Sequence, residues 1–344
     1  MGFNPTTHEP CIYTKYTSTE TIYLLRQVDD FAIACDDKST ATECWSQMDS
    51  YLKEPLKRES GLIQRHNGID ILQSEHGIKM YCETYLNKIL KSKTFDMTVT
   101  KNKPLPMDSE NKHIQLLEQT IGPNDMQAKN ELESSVGFKY RNATGELIFA
   151  MITCRADISF PVIKLTQYNS NPAIEHYEAV KKVFRYLNAT ITDGLQFWRP
   201  RPNRNLIKVS PPTPEPDNHS VVIPTESGSS TTAYGYTDSD LAGDTKTRKS
   251  VSGVTIFFGG AAAVYKTILQ RMIALSSTEA EFYALTEADK LVLYIRHVLK
   301  DLGFEQTDPT TIYEDNRGCL QMTKALKPTK RTRHVDSRFF ALLD

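Results

Sequence analysis

The sequence has no C-x-x-C pair. Its six cysteines (Cys11, Cys35, Cys44, Cys82, Cys154 and Cys319) are scattered, which argues against a zinc site. With no secretory signal at the N-terminus, a disulfide framework is not expected either. There is no positive excess: Lys and Arg number 41 against 42 Asp and Glu, a formal net charge of -1. A uniformly basic nucleic-acid binder is excluded, and only local basic patches remain. No apolar run approaches the roughly 18 residues of a spanning helix. The nearest, Val254 to Tyr265, is interrupted by Gly259-Gly260. These absences point to a chain that is not secreted and has no membrane partner. What is present is enough apolar residue, 39% against 24% charged, to build packed cores and avoid disorder.

The clearest internal boundary is compositional. Seven of the 17 prolines fall between Pro200 and Pro224, too dense for a helix or an internal strand, so an extended linker is expected there. Before it, Cys11 to Lys15 and Ile22 to Cys35 read as strands, Ala41 to Leu56 as a helix, and Leu62 to Leu72 with Gly77 to Cys82 as a strand pair. From Gln127 to about Trp198 the apolar spacing is helical throughout. After the linker, Ala233 to Asp238, Gly253 to Phe258 and Thr311 to Glu314 read as strands. Leu285, Ala288, Val292, Ile295, Leu299 and Leu302 mark one face of a long helix that stops at Gly303. Strands, helix, then strand imply a mixed sheet with helices packed on it, an α/β (α+β) fold class.

Three constellations carry potential chemistry. Asp29-Asp30 interrupts the apolar run YLLRQVDDFAIAC. Adjacent residues in a strand point to opposite faces, so a shared cation would require a tight turn; an ordinary hairpin turn explains the pair equally well. The second set is Asp238, Glu281, Asp315 and Asp336. Asp238 and Asp315 end strands, and Glu281 begins the long helix on its apolar face, so these acids can converge on one sheet edge. That is the arrangement a two-metal nuclease needs. On the residues alone, a helix cap is the more ordinary role for Glu281. Thr278 to Glu281 and Ser276 to Glu279 are both capping boxes, and both cannot operate at once. The third is a basic run, Lys324, Lys327, Lys330, Arg331 and Arg333, followed by His334 and supplemented by Lys246, Arg248 and Lys249. Such runs are usually solvated faces, but beside clustered carboxylates they would hold a polyanionic backbone.

Taken together, VDDFAIA, NGIDI, GIKMYCETYLNKIL, GELIFAMITCRADISFPVIKLTQY and HYEAVKKVFRYL resemble the reverse transcriptase of copia-type retrotransposon polyproteins. GYTDSDLAGDTKTRKSVSG, LSSTEAEFYAL, YEDNRGCL and KRTRHVDSRFF resemble the ribonuclease H domain that follows it there. The resemblance implies a partial reverse-transcriptase palm and start of the thumb over 1–100, and thumb and connection helices over 101–198. A proline-rich linker over 199–232 and a ribonuclease H-like mixed sheet flanked by helices over 233–344 would follow. It implies that Asp238, Glu281, Asp315 and Asp336 bind two Mg²⁺ ions, with Mn²⁺ as a substitute, and it displaces the capping role for Glu281. Asp29 and Asp30 become the paired metal-binding acids of a polymerase hairpin. Lys327, Lys330, Arg331, Arg333 and His334 become contacts to nucleic acid.

The implied partners are an RNA–DNA hybrid, a template-primer and the upstream part of the polyprotein. The implied location is the cytoplasm, within a virus-like particle, or the nucleus. Gln27 stands where the family usually has an aromatic residue, and Leu241 where Trp is common. The third polymerase carboxylate is expected upstream of residue 1, so DNA synthesis is not expected from this chain alone. The rival expectation is a catalytically silent, nucleic-acid-binding or decayed retroelement remnant.

Overall fold

The computed structural model describes residues 1–57, 61–98, 105–108, 111–199, 231–244 and 247–324. Within them the chain is mixed α and β, with three four-stranded sheets. The first has the order β1 (Asn4–Pro5), β2 (Ile12–Tyr16), β3 (Thr21–Gln27) and β4 (Asp30–Ala34), antiparallel throughout. Alternate residues Ile22 and Leu24 are buried, and α1 (Lys38–Tyr51) follows, burying Cys44 and Met48. Gln27 pairs with Asp30, which leaves Val28 and Asp29 as the two-residue turn. Val28 takes a φ of 56° there, a left-handed value that such turns require and that a β-branched residue rarely adopts. The expected strand Ile22 to Cys35 is therefore a hairpin, broken at the acids.

The second sheet combines β5 (Arg65–His66), β6 (Ile69–Gln73) and β7 (Gly77–Tyr81) with a strand from much later in the chain. Between them lie α2 (Glu83–Lys91), α3 (Asn111–Gln119), α4 (Met126–Val136), α5 (Tyr140–Thr153), a 3-10 turn at Ala156–Ile158, α6 (Ser159–Thr166) and α7 (Ile174–Ala189). Then β8 (Gly194–Trp198) returns antiparallel to β7, from Gly77↔Trp198 to Tyr81↔Gly194. This corrects the all-helical reading of Gln127 to Trp198: GLQFW is too short to show a period, and its pairing partner is remote in sequence. Leu86, Leu147, Val162, Leu165, Val180, Phe184 and Leu187 form one buried core, drawn from both sides of position 100. Asp125 starts α4 by accepting the Ala128 N–H at 2.7 Å, and Gly137 ends it at a φ of 85°.

The third sheet is formed by β9 (Tyr234–Asp240), β10 (Val251–Phe258), β11 (Ala261–Leu269) and β12 (Thr311–Tyr313), in the order β11-β10-β9-β12. The longest apolar run of the sequence is thus the β10–β11 hairpin, turned at Gly259 and Gly260, both left-handed. The long helix α8 (Ser277–Asp301) crosses over, so β12 pairs parallel with β9. Ala288, Val292, Ile295 and Leu299 of α8 pack on Ala233, Val254 and Ile256. A short helix, α9 (Arg317–Lys324), follows β12. The second and third sheets meet where the Trp198 N–H donates to the Gly259 carbonyl at 2.6 Å. Most of the expected linker 199–232 lies outside the described residues. Among the described residues, no helix is long and apolar enough to cross a membrane.

Candidate metal centre

Strand register brings two of the predicted acids level with each other. Tyr313 pairs with Tyr236 across the parallel β12–β9 ladder, so continuing both strands by two residues sets Asp315 beside Asp238. Side chains alternate, so both acids share a face with those tyrosines, which are exposed and stacked with ring centroids 4.9 Å apart. Asp315 is held from the other side by the start of α9. The Asn316 side chain accepts the Cys319 N–H at 2.9 Å, as an N-cap does. Gly318 allows this helix to approach α8, because a Cβ there would lie 2.6 Å from the Thr278 hydroxyl.

Glu281 enters from α8. Ser276 caps that helix by accepting the Glu279 N–H at 3.2 Å, and Glu279 accepts the Leu275 N–H at 2.8 Å. Ser276 is therefore the cap of α8, and Glu281 lies inside the helix with no capping role. Its side chain points inward with Leu285 and Ala288, and it is only 5% exposed. Carboxylate oxygens of Asp238, Glu281 and Asp315 all lie within 4.8 Å of one another. Burial, followed by the negative charges of Glu314, Asp238 and Asp315, pushes the Glu281 carboxyl up to about 7.

One oxygen of Glu281 is buried with no hydrogen-bond partner, and so is one oxygen of Glu314. A buried anionic oxygen left unpaired costs several kcal/mol, by order of magnitude, unless a cation or proton meets it. Three convergent carboxylates with such an oxygen among them fit a hard divalent cation, which prefers oxygen donors. Asp238 and Asp315 also line a cavity of about 530 Å³ that runs past Tyr236, Tyr313 and Lys266 to Ser159 of α6, in the second unit (the second sheet with α2 to α7; the third unit is the sheet of the acids with α8 and α9).

The chain is 29% identical to the retrovirus-related Pol polyprotein from transposon TNT 1-94 of Nicotiana tabacum. That match runs over 334 residues, 96% of this chain and 22% of the polyprotein. It is 27% identical over 197 residues to the retrovirus-related Pol polyprotein from transposon RE2 of Arabidopsis thaliana, covering 57% of this chain and 12% of that one. The chain belongs to the retrovirus-related Pol polyproteins of copia-type transposons. It also matches secreted RxLR effector protein 161 of Plasmopara viticola at 32% identity over 156 residues, 45% of this chain and 90% of that protein. The chain spans only a minor part, 22% and 12%, of the two polyproteins. No protein-family profile matches it, and no solved structure does.

Within this Pol chain, the remaining predicted residues have different placements. Asp29 and Asp30 sit on the exposed β3–β4 hairpin. The metal-type grouping among the described residues is the trio on the third sheet, and it does not include them. Asp336, Lys327, Lys330, Arg331, Arg333 and His334 lie outside the described residues, as does Lys246. Arg248 is exposed and Lys249 half-buried on the β9–β10 connection. Asp240 shares the face of Asp238 but is not part of the trio. Burial raises its carboxyl, and the Lys164 ammonium opposes that rise. Glu314 was missed by sequence reasoning. It adjoins Asp315, accepts the Asn316 N–H at 2.9 Å, and has its carboxyl raised by burial and then by Asp315 and Asp238. The only hint in the sequence was the acidic doublet; nothing local revealed that it would be half-buried.

Proposed function

We propose that this Pol chain carries a ribonuclease H-type hydrolase, which cuts the RNA strand of an RNA–DNA hybrid with the help of two Mg²⁺ ions. The observation that supports it best is the convergence of Asp238, Glu281 and Asp315, from two strands and a helix, around an unpaired buried oxygen. On this reading Asp238, Glu281 and Asp315 hold the cations, and Asp336 completes the set. Divalent cations held there would supply activation of water and neutralisation of charge on the leaving oxygen. Glu281, its carboxyl raised to about 7 by burial and neighbouring charge, would hold a cation in its carboxylate form. Lys266 also lines the cavity, with its ammonium paired to the Glu287 carboxylate at 2.9 Å. Discrimination of RNA from DNA would rest on 2′-hydroxyl and groove-shape contacts.

The test is cleavage of an end-labelled RNA–DNA hybrid with and without Mg²⁺. Mg²⁺-dependent cutting of the RNA strand by the wild-type chain, and none above background by Asp315→Asn at equal folded concentration, is the expected result. The asparagine keeps size and hydrogen bonding but loses the charge that holds a hard cation. A wild-type chain that leaves the hybrid intact, or an Asp315→Asn variant that cuts at the wild-type rate, would overturn the reading.

A further inference from the structure

Lys164 lies on α6, in the helical second unit, and its side chain is only 3% exposed. A fully buried lysine is costly unless its charge is met. Here the ammonium donates to the Glu118 carboxylate of α3, itself 2% exposed, and to the Gly243 carbonyl at 3.3 Å. Gly243 belongs to the third unit, in the turn that leaves β9 immediately after the segment bearing Asp238. One buried cation therefore joins two helices of the second unit to the turn behind the carboxylate trio.

That turn is conformationally demanding. Ala242 has a φ of 52° and Arg248 one of 58°, left-handed values that persist in non-glycine residues only where the surroundings hold them. Gly243 lies so close to Asp240 that a Cβ would sit 1.9 Å from the carboxylate. Ser250 accepts the Ala242 N–H at 3.0 Å, and the buried Asp244 accepts the Thr247 hydroxyl at 2.6 Å. These bonds tie the turn to itself, whereas the Lys164 bond ties it to the rest of the molecule. An apolar side chain would fill the site of Lys164 without a desolvation cost, so a fixed geometry is the physical gain from retaining the charge pair.

We propose that Lys164 is a positioning residue for the metal centre: by anchoring the Gly243 carbonyl to the helical unit, it fixes the end of β9 and so the place of Asp238. Its link to metal binding rests on the hydrolase reading above; the anchoring itself does not. The experiment compares the full wild-type chain with Glu118→Gln, which keeps the lysine's bond to Gly243, and with the double variant Lys164→Met/Glu118→Gln. The double variant removes the bond without stranding a buried charge. Three quantities are read: amide hydrogen exchange over residues 241–244, Mn²⁺ affinity, and the melting temperature.

In the double variant the turn should exchange about tenfold faster, reflecting easier local opening. Its Mn²⁺ affinity should fall roughly tenfold, as for other residues that orient a metal ligand. Glu118→Gln should melt lower yet keep near-wild-type exchange in the turn and near-wild-type Mn²⁺ affinity. Equal effects of the two variants would reduce Lys164 to a purely structural ion pair and overturn the proposal, as would unchanged exchange in the double variant. If the wild type binds Mn²⁺ but cuts no hybrid, the hydrolase reading falls while exchange and Mn²⁺ affinity still decide the role of Lys164.

Discussion

The chain presents acidic residues in two settings, and convergence around one buried member is what separates them. Asp29 and Asp30 sit on an exposed hairpin turn, where water solvates each carboxylate and screens one from the other. Asp238, Glu281 and Asp315 are brought together by two strands and a helix, with Glu281 removed from water and its carboxyl pushed up to about 7. The sequence shows both groups as acids at strand ends or helix starts. The fold makes the second group electrostatically unfavourable without a cation or proton, and leaves the first comfortable alone. A cluster of acids acquires metal chemistry through convergence and desolvation, and adjacency in sequence supplies neither.

The sharpest way to break this comparison is to neutralise each group in turn. Glu281→Gln should reduce hybrid cleavage to background and abolish Mn²⁺ binding at the trio. The double variant Asp29→Asn/Asp30→Asn should cut the hybrid at the wild-type rate. Neither the wild type nor any variant should extend a primer on poly(rA), since among the described residues no third acid groups with the exposed pair, and a misplacement of about 1 Å already costs on the order of a hundredfold. Primer extension above background, or hybrid cleavage lost with the hairpin acids, would reverse the roles of the two regions.

A smaller effect should appear in the pH dependence of stability. The folded carboxyl of Glu281 titrates near 7, above its ordinary value of 4.5. Its protonated form is therefore favoured by folding, and that contribution is complete below about 4.5 and lost as pH rises through 7. The metal-free chain should melt at progressively lower temperature between about pH 5 and 8, measured by calorimetry. Saturating Mg²⁺ should flatten the slope, because the cation takes over from the proton, and Glu281→Gln should remove this residue's part of it. A metal-free melting profile that rises with pH across that window would show that Glu281 is not the dominant titrating group.

The smallest effects belong to the neighbours that share type and region but not position. Glu279→Gln weakens the bonds to the Leu275 N–H and the Tyr283 hydroxyl. It should cost roughly 1 kcal/mol of stability while cleavage persists. Asp240→Asn should also retain much of the activity. Should these two be the silent enzymes, with Glu281→Gln and Asp238→Asn active, the site is displaced by two residues on both elements.

The sequence by itself determined the local pieces of this protein. The apolar stripe of α8, the strand before Asp315, the glycine pair that turns β10 into β11 and the inward aim of Glu281 all follow from periods of a few residues. Such periods are written in the chain because side-chain direction repeats with backbone geometry. The order of the motifs carried the family as well. Tertiary structure alone decided which pieces meet. It paired β8 with β7 across six α-helices, half-buried Glu314, separated Glu279 from Glu281 as cap and site, and set Lys164 behind the turn of Gly243. Pairings between distant segments are selected by the burial they jointly permit, and no local pattern encodes a partner's position. Desolvation follows the same rule, which is why the acids were legible in the sequence and the half-burial of Glu314 was not.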